Sequence, residues 1–281
     1  MSSQHTGIVG NIVRMDYRNG DKFNIQLMSD LHLGASSTNE KSILRELDRA
    51  KEIGARININ GDLFDGILPK DMKRYQPEVI AQGLQGKDDL INQTVEYVCD
   101  FLKPYQHLID GIGMGNHEFA LLSHHNINLI TWLITRLNQD SDHKTLYLGY
   151  SGFLTYRFTY ATSNGKVKSV CIYYHHGTGG GTAPVTKGVI QFNRSNTWIE
   201  GADVIWLGHN HERMSVADVK VAPDQNGNPS FREIRCVRTG SYANFIDNGY
   251  PVKGNMKPQS HGGALLVATL LRDGKKIEVL Q

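Results

Sequence analysis

Five short segments of this chain each follow an apolar run with strand character, and each carries side chains that bind divalent metals. Asp30-Leu31-His32 follows FNIQLMS, Gly61-Asp62-Leu63-Phe64-Asp65 follows ARININ, and Gly115-Asn116-His117-Glu118 follows LIDGIGM. His175-His176-Gly177 follows SVCIYY, and Gly208-His209-Asn210-His211 follows ADVIWL. In an open α/β sheet, ligands collect outside the carboxyl ends of the strands. The pattern therefore constrains the fold as much as the chemistry, because five strands must bring their C-terminal ends to one place. Aspartates, histidines and an asparagine delivered there make a site for two divalent metals.

The donor set is carboxylate oxygen and imidazole nitrogen with no thiolate, which suits hard-to-intermediate divalent ions. Asp30 and His32 are two residues apart, so with Leu31 turned into the core both face one side as the strand runs out. Asp62 has two carboxylate oxygens and can bridge a pair of ions. Asn116 adds a neutral oxygen that limits the negative charge of the site. His209 and His211 are again two apart, each able to serve a different ion, while the pair His175 and His176 leaves open which one faces inward. Two ions roughly 3.5–4 Å apart can hold a shared hydroxide and clamp the oxygens of a phosphate under in-line attack. His117 follows the asparagine and can give a proton to the leaving oxygen, with Glu118 or a nearby carboxylate orienting its ring. Any one DxH or HxH pair is weak by itself; the joint occurrence of five such segments carries the reading.

The rest of the 281-residue chain fits one soluble enzyme domain over residues 1–281, at 40% hydrophobic and 21% charged. A net charge of +2 leaves any nucleic-acid affinity to a local patch. Cys99, Cys171 and Cys236 show no CxxC spacing, which argues against a disulfide framework and points to a reducing, cytoplasmic setting. The N-terminus lacks a basic region followed by an apolar stretch, and no apolar run reaches bilayer length, so neither a secretory signal nor a membrane span is expected.

Residues 7–29 read as strand, turn at Arg18-Asn19-Gly20-Asp21, and buried strand. Asn39 to Ile53 reads as a helix with Ile43, Leu44, Leu47, Ala50 and Ile53 on one face, and Gly54 past its end. Residues 66–104 read as a helical insertion near the site, irregular at first and regular from Asp88 to Leu102, where Pro104 stops it. Ile127 to Leu137 is a further helix. Three strands follow, with an Asn164-Gly165 turn before the last, then a glycine-rich loop at 177–188, a helix to Trp198, and a β-rich remainder with turns at Asn226-Gly227 and Gly274. No internal repeat or linker is present.

The ordered set SDLHLG, GDLFD, GNHE, HHG and GHNH resembles the calcineurin-like metallophosphoesterase superfamily, over Asp30 to His211. The resemblance implies an α/β fold, a two-sheet β-sandwich flanked by helices in four layers (α/β/β/α). It also implies hydrolysis of phosphate mono- or diesters, commonly with two manganese ions, and with iron, zinc or nickel in some members. Carried across by motif, one metal takes Asp30, His32, Asp62 and His211. The other takes Asp62, Asn116, His209 and the histidine that precedes a glycine, His176, with His175 pointing elsewhere. His117 matches the catalytic histidine. SDLHLG with GDLFD is most like the DNA-repair nuclease branch and bacterial lipid-precursor pyrophosphatases. RTGSYANF…HGG looks like phosphoesterases of phage and bacterial genomes, although the chain is too short for the C-terminal cap usual in the nuclease branch.

Weaker signals surround the site. The loop GTGGGTAPVTKG lacks P-loop spacing, and its backbone is a phosphate contact or a plain rim. Lys70, Lys73 and Arg74 with Tyr75 form a nucleic-acid contact or, more often for such a run, a solvated face. His124 and His125 read as surface loop, Tyr242 and His261 as pocket lining by resemblance only, and Arg232, Arg235 and Arg238 as no single basic face. Cys171, Met114 and Trp206 read as core. The function expected is a dinuclear phosphodiesterase or nuclease acting on a phosphate ester, with nucleic acid or nucleotide as the partner. A phosphomonoesterase or nucleotide pyrophosphatase, and a non-catalytic metal-binding scaffold, are the alternatives.

Overall fold

A computed structural model of the chain describes residues 7–66, 80–86, 88–161, 167–178, 188–224, 226–244 and 260–281. The Lys70 to Tyr75 cluster, the Asn164-Gly165 turn and residues 179–187 of the glycine-rich loop lie outside the described residues. The first two strands, β1 (Ile8–Tyr17) and β2 (Lys22–Met28), flank the expected turn. The Arg18 N–H donates to the Asp21 carboxylate at 2.7 Å, and Gly20 sits at φ +87°. Adjacent in sequence, they nevertheless part company, because β1 lies at the edge of one sheet and β2 in the middle of the other.

The remaining strands are β3 (Arg56–Ile59), β4 (Ile109–Gly113), β5 (Leu146–Gly149), β6 (Ser151–Tyr160), β7 (Val167–His175) and β8 (Val204–Leu207). They continue with β9 (Met214–Pro223), β10 (Pro229–Arg238), β11 (Ala264–Leu271) and β12 (Gly274–Leu280). Together they make two six-stranded sheets, in the orders β1-β6-β7-β8-β10-β9 and β12-β11-β2-β3-β4-β5. In the second sheet β2, β3, β4 and β5 run parallel; in the first, β7, β8 and β10 do.

Five α-helices complete this mixed α/β fold among the described residues. α1 (Glu40–Glu52) starts where the Asn39 side chain accepts the Ser42 N–H, with Glu40 in its first turn and Arg49 and Lys51 in its last. Ile43, Leu47 and Ala50 are buried, but Ile53 is the C-cap and 39% exposed, because the helix has already ended there. α2 (Leu90–Leu102) begins two residues later than expected, after a left-handed Asp89. Pro104 opens a 3-10 turn (Lys103–Leu108), where its missing N–H costs nothing. α4 (Leu129–Leu137) is capped by Asn128, and α5 (Val189–Trp198) precedes β8. α3 (Asn116–His125) was not legible as a helix, and it places His124 and His125 on an exposed last turn rather than in a loop.

Three apolar clusters hold these elements. Ile57, Ile59, Ile109 and Ile112 pack with Leu47, Val98 and Leu133 of the helices. Ile25 and Leu27 meet Leu154, Tyr156, Ile172 and Trp206 of the other sheet. Tyr173, Ile205 and Cys236 pack under Phe192 of α5. Each fully buried aliphatic or aromatic side chain contributes about 1.5–3 kcal/mol, so packing dominates stability. Met114 and Trp206 are core as expected, while Cys171 is only half-buried.

A polar network sits at the strand starts, opposite the ends that lead into the metal-binding segments. The Arg56 guanidinium clasps the buried Asp110 carboxylate, which also accepts the Tyr156 hydroxyl at 2.7 Å; that hydroxyl accepts from Asn58 Nδ2 at 2.7 Å. Removing one partner strands a buried charge. Asp110→Ala is expected to lower unfolding free energy by about 3–5 kcal/mol, read as a lower denaturant midpoint, with metal binding intact in the folded fraction.

Candidate metal centre

The three motifs of the second sheet leave its adjacent parallel strands β2, β3 and β4, and the two of the first sheet leave β7 and β8. Backbone bonds tie neighbouring exits together. Asp30 N–H donates to the Gly61 carbonyl (3.1 Å), His32 N–H to the Asp62 carbonyl (3.0 Å), and Gly208 N–H to the His176 carbonyl (3.0 Å). The two sheets are stitched as well: His176 Nδ1 lies 2.8 Å from the Asn60 carbonyl, Asn60 Nδ2 donates to the His175 carbonyl, and the His209 N–H donates to the Asp30 carboxylate.

Tight turns bring the donors inward. Asp30, His32, Asp62, His209 and His211 all have φ between +47° and +70°, five of the seven non-glycine residues with positive φ among those described. This corrects the expectation that Asp30 and His32 share a side through strand alternation: Leu31 is indeed fully buried, but left-handed backbone at both neighbours turns them inward. Such conformations cost about 1–3 kcal/mol each and persist only where surrounding contacts over-determine them. The approach of the loops also requires glycine. A Cβ on Gly61 would lie 2.5 Å from the Gly115 nitrogen, and one on Gly115 would strike the Asp62 carboxylate.

All seven expected donors converge. Asp30, His32 and His211 form one group and Asp62, His176 and His209 another, each with its ligand atoms within 4.8 Å of one another. In the first group, His32 Nε2 and His211 Nε2 face each other at 3.4 Å, with Asp30 Oδ1 3.3 Å from the latter. In the second, Asp62 Oδ2 is 3.2 Å from His176 Nε2. Asn116 Oδ1 joins it, 3.1 Å from His176 Nε2 and 2.7 Å from His209 Nδ1. Imidazole nitrogens turned toward one another beside carboxylates are what a divalent cation satisfies, and the oxygen-nitrogen set fits such an ion. His175 turns away: its Nδ1 accepts the Gly177 N–H at 2.8 Å, and burial holds its pKa down at about 4.

His117 links with Asp62 and His32 in a third group. Its N–H donates to Asp62 Oδ1 at 3.0 Å, and its Nδ1 donates to the Asp65 backbone carbonyl. Glu118 does not orient this ring. It is fully buried and instead accepts the N–H groups of Asp62 (3.1 Å), Phe64 (2.8 Å) and Gly115 (2.8 Å), locking two motif loops together. Its place two residues after Asn116 was the available signal, but its partners were not legible. Asp65 was likewise part of a motif without a role; its carboxylate stands 3.6 Å from His32 Nδ1. Ser29 and Thr239, with Trp206 behind, hold the Asp30 carboxylate, and Asn60 holds His176. Tyr242 and His261 do not line the centre. Tyr242 is fully buried with its hydroxyl on Glu46 (2.8 Å), and His261 Nε2 is bonded to the Ala243 carbonyl. Arg238 is buried over the Phe192 ring, which leaves no basic face with Arg232 and Arg235.

The centre opens on one side: the side chains of His117 and His211 are 18% and 23% exposed, whereas Asp30 and His176 are sealed. Burial disfavours a charged Asp62, yet His176 and His117 hold its pKa well below the usual range. Burial and the Asp62 charge push Glu118 up to about 7. For His176, burial opposes protonation, but Asp62 and Asp30 outweigh it and raise the pKa to about 10.

No family model matches the chain, and neither does any curated protein. Among solved structures, it is similar to a Thermotoga maritima protein solved by solution NMR, at 16% identity over 92% of this chain and 99% of that one, with a TM-score of 0.35. It is also similar to a metallophosphoesterase from Sphaerobacter thermophilus, at 13% identity over 92% and 89% of the two chains, with a TM-score of 0.34. A third neighbour is GAP50, the anchor in the inner membrane complex of Plasmodium, at 10% identity over 92% and 84%, with a TM-score of 0.41. No helix among the described residues is long and apolar enough to cross a membrane.

Coordination requires a neutral imidazole, so the proton that the raised pKa keeps on His176 must leave when metal loads. Apparent metal affinity is therefore expected to rise about tenfold per pH unit between pH 6 and 8. Titration calorimetry in two buffers of different ionisation enthalpy would show the released proton.

Proposed function

We propose that this chain is a dinuclear, metal-dependent phosphoester hydrolase of the calcineurin-like metallophosphoesterase superfamily, acting on a phosphodiester, with a nucleotide or nucleic acid as substrate. In this reading residues 1–281 form one cytoplasmic domain in four layers, α/β/β/α. The observation that carries it is Asp62, which belongs to two of the donor groups and has His117 beside it on the open side. Asp30, His32, Asp62 and His211 would hold one cation, and Asp62, Asn116, His176 and His209 the other. Bound there, two divalent ions, manganese foremost, with iron, zinc or nickel as substitutes, lower the pKa of water and neutralise phosphate charge.

The chain's own residues do the rest. Because His117 gives its Nδ1 proton to the Asp65 carbonyl, the ring's Nε2 is left to face the reaction. Burial works against a charged His117, but Asp62 and Asp65 raise its pKa, which keeps a proton on Nε2 for the departing oxygen. Glu118 fixes the backbone of Asp62 and Gly115 so that both motif loops hold register. The exposed edges of His117 and His211 mark the side from which the ester enters.

Stripping the protein of metal, restoring manganese and comparing bis(p-nitrophenyl) phosphate with p-nitrophenyl phosphate tests the reading. Manganese-dependent turnover favouring the diester is expected. Preference for the monoester would move the assignment to a phosphomonoesterase or nucleotide pyrophosphatase, and no turnover with two ions bound would make the site a scaffold. Asp62→Ala and His209→Ala are expected to lose metal and turnover together. His117→Ala should keep the metal content, measured by elemental analysis, while kcat falls about 10²–10⁴-fold.

A further inference from the structure

The hairpin of β9 and β10 carries an apolar surface that the metal centre does not use. β8 pairs only with Arg235–Arg238 of β10, so the outer part of the hairpin projects beyond its neighbour in the sheet. Directly paired residues share a face. On one face Ile234, Cys236 and Val216 pack toward α5, and Asp218 and Lys220 both bond to Asn196. The opposite face shows Val219 (53% exposed), Val221 (70%) and Phe231 (84%), with Val221 directly across from Phe231 and Val219 across from Glu233, whose charge is paired with Arg235. β9 is also the end strand of its sheet, ten residues long, with one backbone edge unpaired by any other strand among those described. A long edge of unpaired backbone groups is a template for another strand, and the charges of Asp218 and Lys220 restrict which strand it accepts.

We propose that this edge binds a second copy of the chain, β9 against β9 in antiparallel register about a two-fold axis through Val219. The occupant and the register follow from charge. A sheet that continues across the axis with like faces together must pair residues of one face with the same face of the partner strand, so the axis passes through a residue. Centred on Asp218 or on Lys220, the pairing sets two like charges against each other. Centred on Val219, it sets Asp218 of each copy opposite Lys220 of the other, and Ala217 opposite Val221. The strand is self-complementary in that register, and the contact is isologous and closed. The joined apolar faces bring Val219, Val221 and Phe231 of both copies to one side. An edge and three apolar side chains per copy are small beside the ~1,200–2,000 Å² of a stable interface, so the contact is one between exchanging copies rather than an obligate dimer. The hairpin tip lies at the strand ends away from the metal centre, so turnover per chain does not depend on the contact.

Sedimentation velocity of the full chain over a micromolar dilution series tests this, together with oxidative cross-linking of two single-cysteine substitutions. Val219→Cys, on the axis, is expected to give a disulfide-linked dimer, whereas Ala217→Cys, opposed to Val221 of the partner copy and paired with Arg235 in its own chain, does not. Val219→Lys is expected to move the dimer midpoint up at least about tenfold in concentration while thermal stability and turnover stay at the parent level. Asp218→Lys should weaken the dimer, and adding Lys220→Asp should restore it, which a merely destabilised fold would not do. A parent chain that stays monomeric throughout the series would overturn the proposal. So would a dimer that survives Val219→Lys and fails to link through Val219→Cys.

Discussion

The candidate metal centre depends on hydrogen bonds that cross between two sheets. Asp30, His32, Asp62 and Asn116 come from the exits of one sheet, and His176, His209 and His211 from the other. The His209 N–H to Asp30, the His176 ring on the Asn60 carbonyl, and Asn60 Nδ2 on the His175 carbonyl hold those exits at ligand distance. None of these bonds is strong alone, at about 0.5–1.5 kcal/mol net for an ordinary pair. They are kept in place by the apolar layer between the sheets, where Leu27, Tyr156, Ile172 and Trp206 are buried. A change deep in that layer is therefore also a change in donor geometry.

Charge and strain are balanced within the same few residues. Five donors sit in left-handed backbone, a cost that hydrogen bonds to their own amides and carbonyls offset. Glu118 contributes most visibly, because one carboxylate gathers three N–H groups from two loops. Its burial next to Asp62 raises its pKa toward neutrality, so the clamp is itself held against electrostatic cost. The protonated state favoured at His176 answers the two aspartates in the same way.

Much of this centre was legible in the sequence, because each donor group is a local signal: an apolar run, a glycine, then ligands. The convergence of Asp30 with His211 follows from strand ends meeting, a rule that operates without knowing the register. What was hidden depends on partners distant in sequence. Glu118 reads as a neighbour of His117, yet its oxygens reach back to Asp62 and Phe64. Tyr242 reads as pocket lining by resemblance, yet Glu46 of α1 takes its hydroxyl. α3 has apolar residues on no consistent face, so periodicity could not reveal it, and the separation of β1 and β2 into different sheets is a tertiary choice that the intervening turn does not encode. Where Ile53 was expected to pack, the helix had ended one residue earlier.

The spread of the donors along the chain has a consequence for how the protein is made. Asp30 and His209 are 179 positions apart, yet one's carboxylate holds the other's N–H. During synthesis the exits of β2, β3 and β4 emerge first, with two aspartates, an asparagine and the imidazoles of His32 and His117. His176, His209 and His211 arrive only with β7 and β8, which belong to the other sheet. Contacts of such long sequence separation are slow to close. Until they do, the growing chain carries the aspartates and the asparagine of the candidate centre without the three imidazoles that the other sheet supplies.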